Sequence, residues 1–246
     1  MPIFRPQQNP VSFIRNHRRF AVNGSANSSG GASTSGVGGF SVNCGTSATA
    51  YGKVAYSSAY SNLTVRSGTG IDLVSGVGVC GVGLISIGTA VSGQAFRLIV
   101  GDDSASTVPA VSTSNAISTR GFGFEVYNNS GTRTVRLFAH DGTTYSTSSG
   151  LTSFNFTSLE RVYGFWVKND SLGNVYLYMS QITADNTGPL PSFSDSPVLT
   201  MTGGPTANTS AKRFVTMQAI TDGVNNPASA FATLCNFEEI LFTQGI

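Results

Sequence analysis

The stretch GVGVCGVG, Gly76 to Gly83, satisfies G-x-G-x-x-G in its first six residues, the spacing with which many nucleotide-binding turns hold a pyrophosphate. That chemistry needs a helix opening at the third glycine, because its free amides and dipole hold the anion. The residues that follow, VGLISIGTAVSG, are glycine-rich and β-branched and make a poor helix. Asp102 and Asp103 fall near the spacing of a ribose-binding acid, but they stand where a strand runs into a turn. The glycines are therefore expected to be structural. Val77 and Val79, then Val82 and Leu84, are expected to face inward, with a bulge near Val79, Cys80 and Gly81 absorbing the change of phase.

Other reactive side chains are scattered. His140 and Asp141 adjoin in AHDG at a hairpin turn, where neighbouring side chains rarely converge on a serine, and no G-x-S-x-G elbow is present. Glycoside hydrolysis needs two carboxyl groups flanking one groove. Glu125, Glu160, Glu238 and Glu239 do not form such a pair by position and read as solvated or salt-bridged acids. Asp102, Asp103 and Asp170 lack the alternating oxygen ligands of a calcium loop and read as turn acids. Cys44, Cys80 and Cys235 lie far apart, without zinc or redox spacing, and read as buried thiols. No catalytic residue, metal ligand or cofactor is expected, so the chain is read as a non-enzyme.

Composition says which elements must position such residues. Charged residues make up only 11% of 246, and the seven Glu and Lys supply few exposed helix formers, whereas Ser and Thr number 59 and Gly 29. Strands and turns are expected throughout. So weakly charged a surface must be wetted by hydroxyls and amides or be covered by neighbours, and closed symmetry makes a homotrimer the expected assembly. A net charge of +2 is too small to indicate nucleic acid or an anionic membrane as partner. Neither a secretory leader nor an apolar run near membrane-spanning length is read, so synthesis in a cytoplasm is expected.

Three segments follow from patterning. Residues 1–22 carry Pro2, Pro6 and Pro10, which favour extended backbone, with apolar Ile3, Phe4, Phe13, Ile14 and Phe20 set among Arg5, Arg15, Arg18 and Arg19. This reads as an arm whose anchors grip another protein. Residues 23–39 read as a Gly/Ser linker and 40–246 as one all-β, antiparallel sandwich domain. Within the domain, GFGFEVYNNSGTRTVRLFAH alternates as a hairpin, with Phe122, Phe124 and Val126 facing Val135, Leu137 and Ala139. A second hairpin has strands at 162–168 and 175–181, apolar or aromatic on both faces. Its Trp166, Tyr176 and Tyr178 read as subunit-interface candidates, with sugar stacking by Trp166 as the alternative.

These hairpins, with the final run CNFEEILFTQ, resemble the concanavalin A-like (laminin G-like) jelly-roll sandwich found in lectins, glycosidases and bacteriophage virion proteins. The arm and linker narrow the likeness to viral surface proteins. The resemblance implies a capsid decoration (cement) protein on the virion, held by the major capsid protein of the same particle through the arm. Its alternatives are a receptor-binding, tail-fibre lectin-like module with a host surface glycan as partner, and a shell-forming jelly-roll coat protein.

Overall fold

Period-2 alternation builds both hairpins. In the first, β7 (Gly121–Asn129) pairs with β8 (Thr132–His140), and Gly131 closes the turn at φ 91°, where its amide donates to Asn128 Oδ1. The second joins β10 (Val162–Asn169) to β11 (Val175–Ile182) in unbroken antiparallel register. In this computed structural model the described residues are 22–27, 31–34, 40–43, 51–56, 77–87, 94–101, 115–129, 131–154, 156, 162–182, 196–206, 214–221 and 233–244.

The remaining described strands are β1 (Val22–Asn27), β2 (Gly31–Thr34), β3 (Phe40–Asn43), β4 (Tyr51–Tyr56), β5 (Val77–Ile87), β6 (Ala95–Gly101), β9 (Tyr145–Thr147), β12 (Leu199–Met201), β13 (Phe214–Ile220) and β14 (Thr233–Gln244). They form two seven-stranded sheets. Sheet A runs β1-β4-β13-β6-β7-β8-β9, and sheet B runs β12-β11-β10-β5-β14-β3-β2. Every paired neighbour is antiparallel. The all-β sandwich expected from the sequence is the architecture observed.

The sheets meet over aromatic rings. Phe124 of sheet A lies 5.2 Å from Phe165 of sheet B and 5.9 Å from Phe96, all three fully buried. Val100, Phe122, Val126, Val135, Leu137 and Ala139 fill the core from sheet A, and Tyr163, Val167, Val175, Leu177 and Met179 fill it from sheet B. A second cluster of Ile99, Phe138 and Ala116 closes over the far side of sheet A, with Ile117 and Tyr145 packed against it. Hence β6 is buried along both faces.

Two expectations are corrected. The glycine-rich stretch is indeed strand, but β5 keeps unbroken register with β10 from Val77 to Leu84, so it has no bulge at Val79, Cys80 and Gly81. The irregularity lies in the other partner, β14, between Phe237 and Glu239. Val79, expected to face inward, is in the core together with Ile85 and Ile87, and the side chains of Val77, Val82 and Leu84 lie outside those described. Gly81 stands opposite Phe165 and Gly83 opposite Tyr163, so positions without side chains neighbour the bulkiest core rings. The 23–39 segment, expected as a linker, contributes strand: β1 pairs with β4 and β2 with β3. Small Gly, Ser and Ala residues can serve an outer strand as well as a linker, and composition does not separate the two. The arm residues Ile3, Phe4, Arg5, Phe13, Ile14, Arg15, Arg18, Arg19 and Phe20 lie outside the described residues.

The same close approach of glycine and ring recurs in sheet A. A Cβ on Gly123 would overlap the Leu98 carbonyl oxygen and lie 2.6 Å from Cζ of Phe138, whereas one on Gly131 would meet nothing within 4 Å. Gly123→Ala is therefore expected to cost about 3 kcal/mol, the upper part of the overpacking range. Gly131→Ala should cost about 1 kcal/mol, from backbone strain alone. Urea denaturation of the two variants checks the ranking, and equal losses would contradict it.

Candidate functional site

The second hairpin sends its side chains to two environments. In β10, Tyr163, Phe165, Val167 and Asn169 are buried, while Trp166 and Lys168 are half-buried on the opposite face. In β11, Val175, Leu177 and Met179 are buried, while Tyr176, Tyr178 and Ser180 are half-buried on that same outer face. Antiparallel register puts Trp166 directly opposite Tyr178, Lys168 opposite Tyr176 and Gly164 opposite Ser180. On its far side, Tyr176 faces Thr200 of β12.

An aromatic shelf results. The Trp166 and Tyr178 rings stack at 5.2 Å between centroids, 28° from parallel. The Lys168 ammonium lies 4.6 Å from the centre of the Trp166 ring, 5.3 Å from Tyr176 and 5.2 Å from Tyr178. Burial lowers the Lys168 pKa from its ordinary value, and the charge of Asp170 opposes that shift. At the other end, Gly164 contributes no side chain, and its neighbour Ser180 has a buried hydroxyl oxygen without a hydrogen-bond partner. The outer face of this hairpin thus carries a pair of stacked rings with a cation held against them.

The turn after β10 holds the shelf in place. Asp170 Oδ1 accepts from the amides of Leu172 and Asn174, both at 2.9 Å. Its Oδ2 accepts from Asn174 Nδ2 at 2.8 Å and from the Tyr176 hydroxyl at 2.9 Å. Burial alone would raise the Asp170 pKa, but the bonds from Asn174, Tyr176 and the Leu172 amide outweigh it and hold the carboxyl below its ordinary value. Gly173, at φ 80°, lets the chain turn back. Segment 203–206 then braces this turn: the Gly204 amide donates to Gly173 O at 2.9 Å, and Asn169 Nδ2 donates to Pro205 O at 2.9 Å.

The outer face of sheet A is different. Lys53, Gln218, Arg97, Glu125 and Arg136 form one cross-strand row through β4, β13, β6, β7 and β8. Glu125, fully buried, accepts from Arg97 Nε at 2.8 Å and pairs with Arg136, whose guanidinium lies 4.4 Å over the Tyr127 ring. Gln218 is fully buried and neither of its amide atoms is hydrogen-bonded. His140 Nδ1 accepts from the Gly142 amide at 3.0 Å, and Asp141 Oδ1 accepts from the amides of Thr143 and Thr144, so both residues serve the turn. Asp102, Asp103 and Glu160 lie outside the described residues. No cluster of metal-ligating side chains occurs among the described residues.

Trp166, Tyr176 and Tyr178, predicted from sequence as a set, are brought onto one surface. Lys168 and Asp170 escaped the sequence reading as parts of it. Their signal was the i, i+2 spacing from Trp166, which alternation places on the Trp166 side of the strand.

No family model and no curated protein matches the chain in sequence. Among solved structures, the chain is similar to the Emp46p carbohydrate recognition domain, at 9% identity over 94% of this chain and 91% of that one, with a TM-score of 0.55. It is also similar to the VIP36 exoplasmic/lumenal domain in its Ca2+/Man-bound form, at 8% identity over 90% of this chain and 82% of that one, with a TM-score of 0.53. The chain spans 44% of a botulinum neurotoxin type C chain, at a TM-score of 0.48. At such identities the likeness concerns the fold, a lectin-like jelly roll.

Because Asp170 has a depressed folded-state pKa, its contribution to stability is present above the unfolded carboxyl pKa and is lost as pH falls through the folded one. Asp170→Asn should therefore lower the melting temperature at neutral pH, and the gap from the unmodified chain should close as pH drops below about 4. Thermal melts from pH 7 down to pH 2 check this. A gap that does not change with pH would mean that the carboxylate charge is not what the turn uses.

Proposed function

We propose that this chain is a carbohydrate-binding, lectin-like module that takes a sugar on the outer face of sheet B. One observation carries the reading: the stacked Trp166 and Tyr178 rings lie outside the core, half-buried on the outer face, although they are among the largest apolar side chains available to fill it. A pyranose presents a flat C–H face with hydroxyls at its rim. An aromatic floor matches the face, and polar groups placed around it fix orientation. Thr200, exposed on β12 beside Tyr176, is a polar group at the edge of the rings. The lectin-like fold supports the reading, as do the names of the similar structures, of which Emp46p is a carbohydrate recognition domain and VIP36 was captured with Man.

This is the glycan-recognising alternative from the sequence, and it has better support than capsid decoration. The names of the similar Emp46p and VIP36 structures speak of carbohydrate recognition and bound Man, and the arm on which decoration depends lies outside the described residues. A glycan on a host surface remains the fitting partner. The competing use of the same rings is burial between copies of the chain, and the two uses separate experimentally.

Trp166 is the only tryptophan in the chain, so its fluorescence reports on the shelf without interference. A sugar retained on a glycan array is expected to shift or quench that emission on titration. Trp166→Ala is expected to weaken array binding tenfold or more, since about 1.5–3 kcal/mol of ring burial is removed and each 1.4 kcal/mol is a factor of ten. Silence on the array, combined with an oligomer that Trp166→Ala dissociates in sedimentation, would instead assign the shelf to self-association.

A further inference from the structure

We infer that the sugar taken by this shelf bears a carboxylate, and that Lys168 is the residue that selects it; the inference rests on the carbohydrate-binding reading above. An aromatic floor alone would suit a neutral sugar. Here an ammonium is held within 5.3 Å of three ring centres on the face where the sugar would lie. Among the described residues, no carboxylate lies within ion-pair distance of Lys168, because the ion pairs there join Arg97 and Arg136 to Glu125 on the other sheet. The nearby acid, Asp170, has both oxygens engaged by four donors of its own turn. The rings occupy part of the surroundings of the ammonium but accept no conventional hydrogen bond, so its three N–H donors lack an anionic acceptor.

Partial burial strengthens the argument, because a cation drawn away from water gains more from a carboxylate than a solvated one does. Geometry sets the direction. Trp166 and Lys168 are two residues apart on one strand, about 7 Å at the usual rise. A sugar packed against Trp166 and Tyr178 would place an acidic substituent at Lys168. Uronic and sialic acids both supply that group.

The test compares matched pairs on the full chain: trigalacturonic acid against its carboxyl-reduced neutral form, and sialyllactose against lactose, by calorimetry at low and high NaCl. At least one acidic member is expected to bind ten or more times tighter than its neutral partner at low salt, with the advantage shrinking as salt rises. Lys168→Gln should abolish the advantage while retaining the melting temperature, Lys168→Arg should restore much of it, and Trp166→Ala should weaken both members together. Equal affinity within both pairs, or an acid preference that survives Lys168→Gln, overturns the inference while the carbohydrate-binding reading stands. Binding of no saccharide at all, on these pairs and on the array, overturns both.

Discussion

Strict two-residue alternation along β10 and β11 is the constraint on which the rest of this molecule depends. Each odd-numbered position from Tyr163 to Met179 within these strands goes into the core, and the even positions from Trp166 to Ser180 stay on the outside. A slip of one residue would expose Phe165 and Leu177 and push Lys168 into the sandwich, exchanging favourable apolar burial for a buried unpaired charge. The core therefore fixes the register, and the register composes the surface. Trp166 meets Tyr178 because Phe165 and Met179, registered opposite each other, are held in the interior.

The two outer faces have diverged under this common rule. On sheet A the face is closed: β6 is buried on both sides, Phe138 lies over Gly123, and Glu125 is neutralised between two arginines. Removing one member of such a buried ionic group leaves an uncompensated charge, so the row is costly to disturb and suits a structural role. On sheet B the face carries stacked rings and a lysine with no paired acid among the described residues. The same alternation that sealed one side leaves aromatic rings and a cation on the other.

The sandwich was legible because its evidence was local. Phe122, Phe124 and Val126, with Val135, Leu137 and Ala139, declare a core-facing hairpin through spacing alone, and Gly131 and Gly173 mark turns whose φ is positive. The ends of the second hairpin were read to within a residue, since Val162–Asn169 and Val175–Ile182 are flanked by a strong turn. What failed was whatever depends on distant partners. The phase of β5 is decided by Tyr163 and Phe165 across the register and by an irregularity in β14, far along the chain. The strands at Val22–Asn27 and Gly31–Thr34 take their identity from β4 and β3, not from their own composition. For the site, the aromatic members were visible, but the placing of Lys168 over three rings requires the pairing of two strands, and the Glu125 clamp requires three.

The central claim is that the outer face of β10 and β11 is where a saccharide binds. Amide chemical-shift mapping of the isotopically labelled chain during titration with an array-selected oligosaccharide tests this most directly. The account predicts perturbations concentrated at Gly164 to Lys168, Tyr176 to Ser180 and the adjoining Thr200, together with the Trp166 indole N–H. Shifts confined to the outer face of sheet A, around Gln218, Arg97 and Glu125, would place the ligand on the opposite side of the sandwich and contradict it.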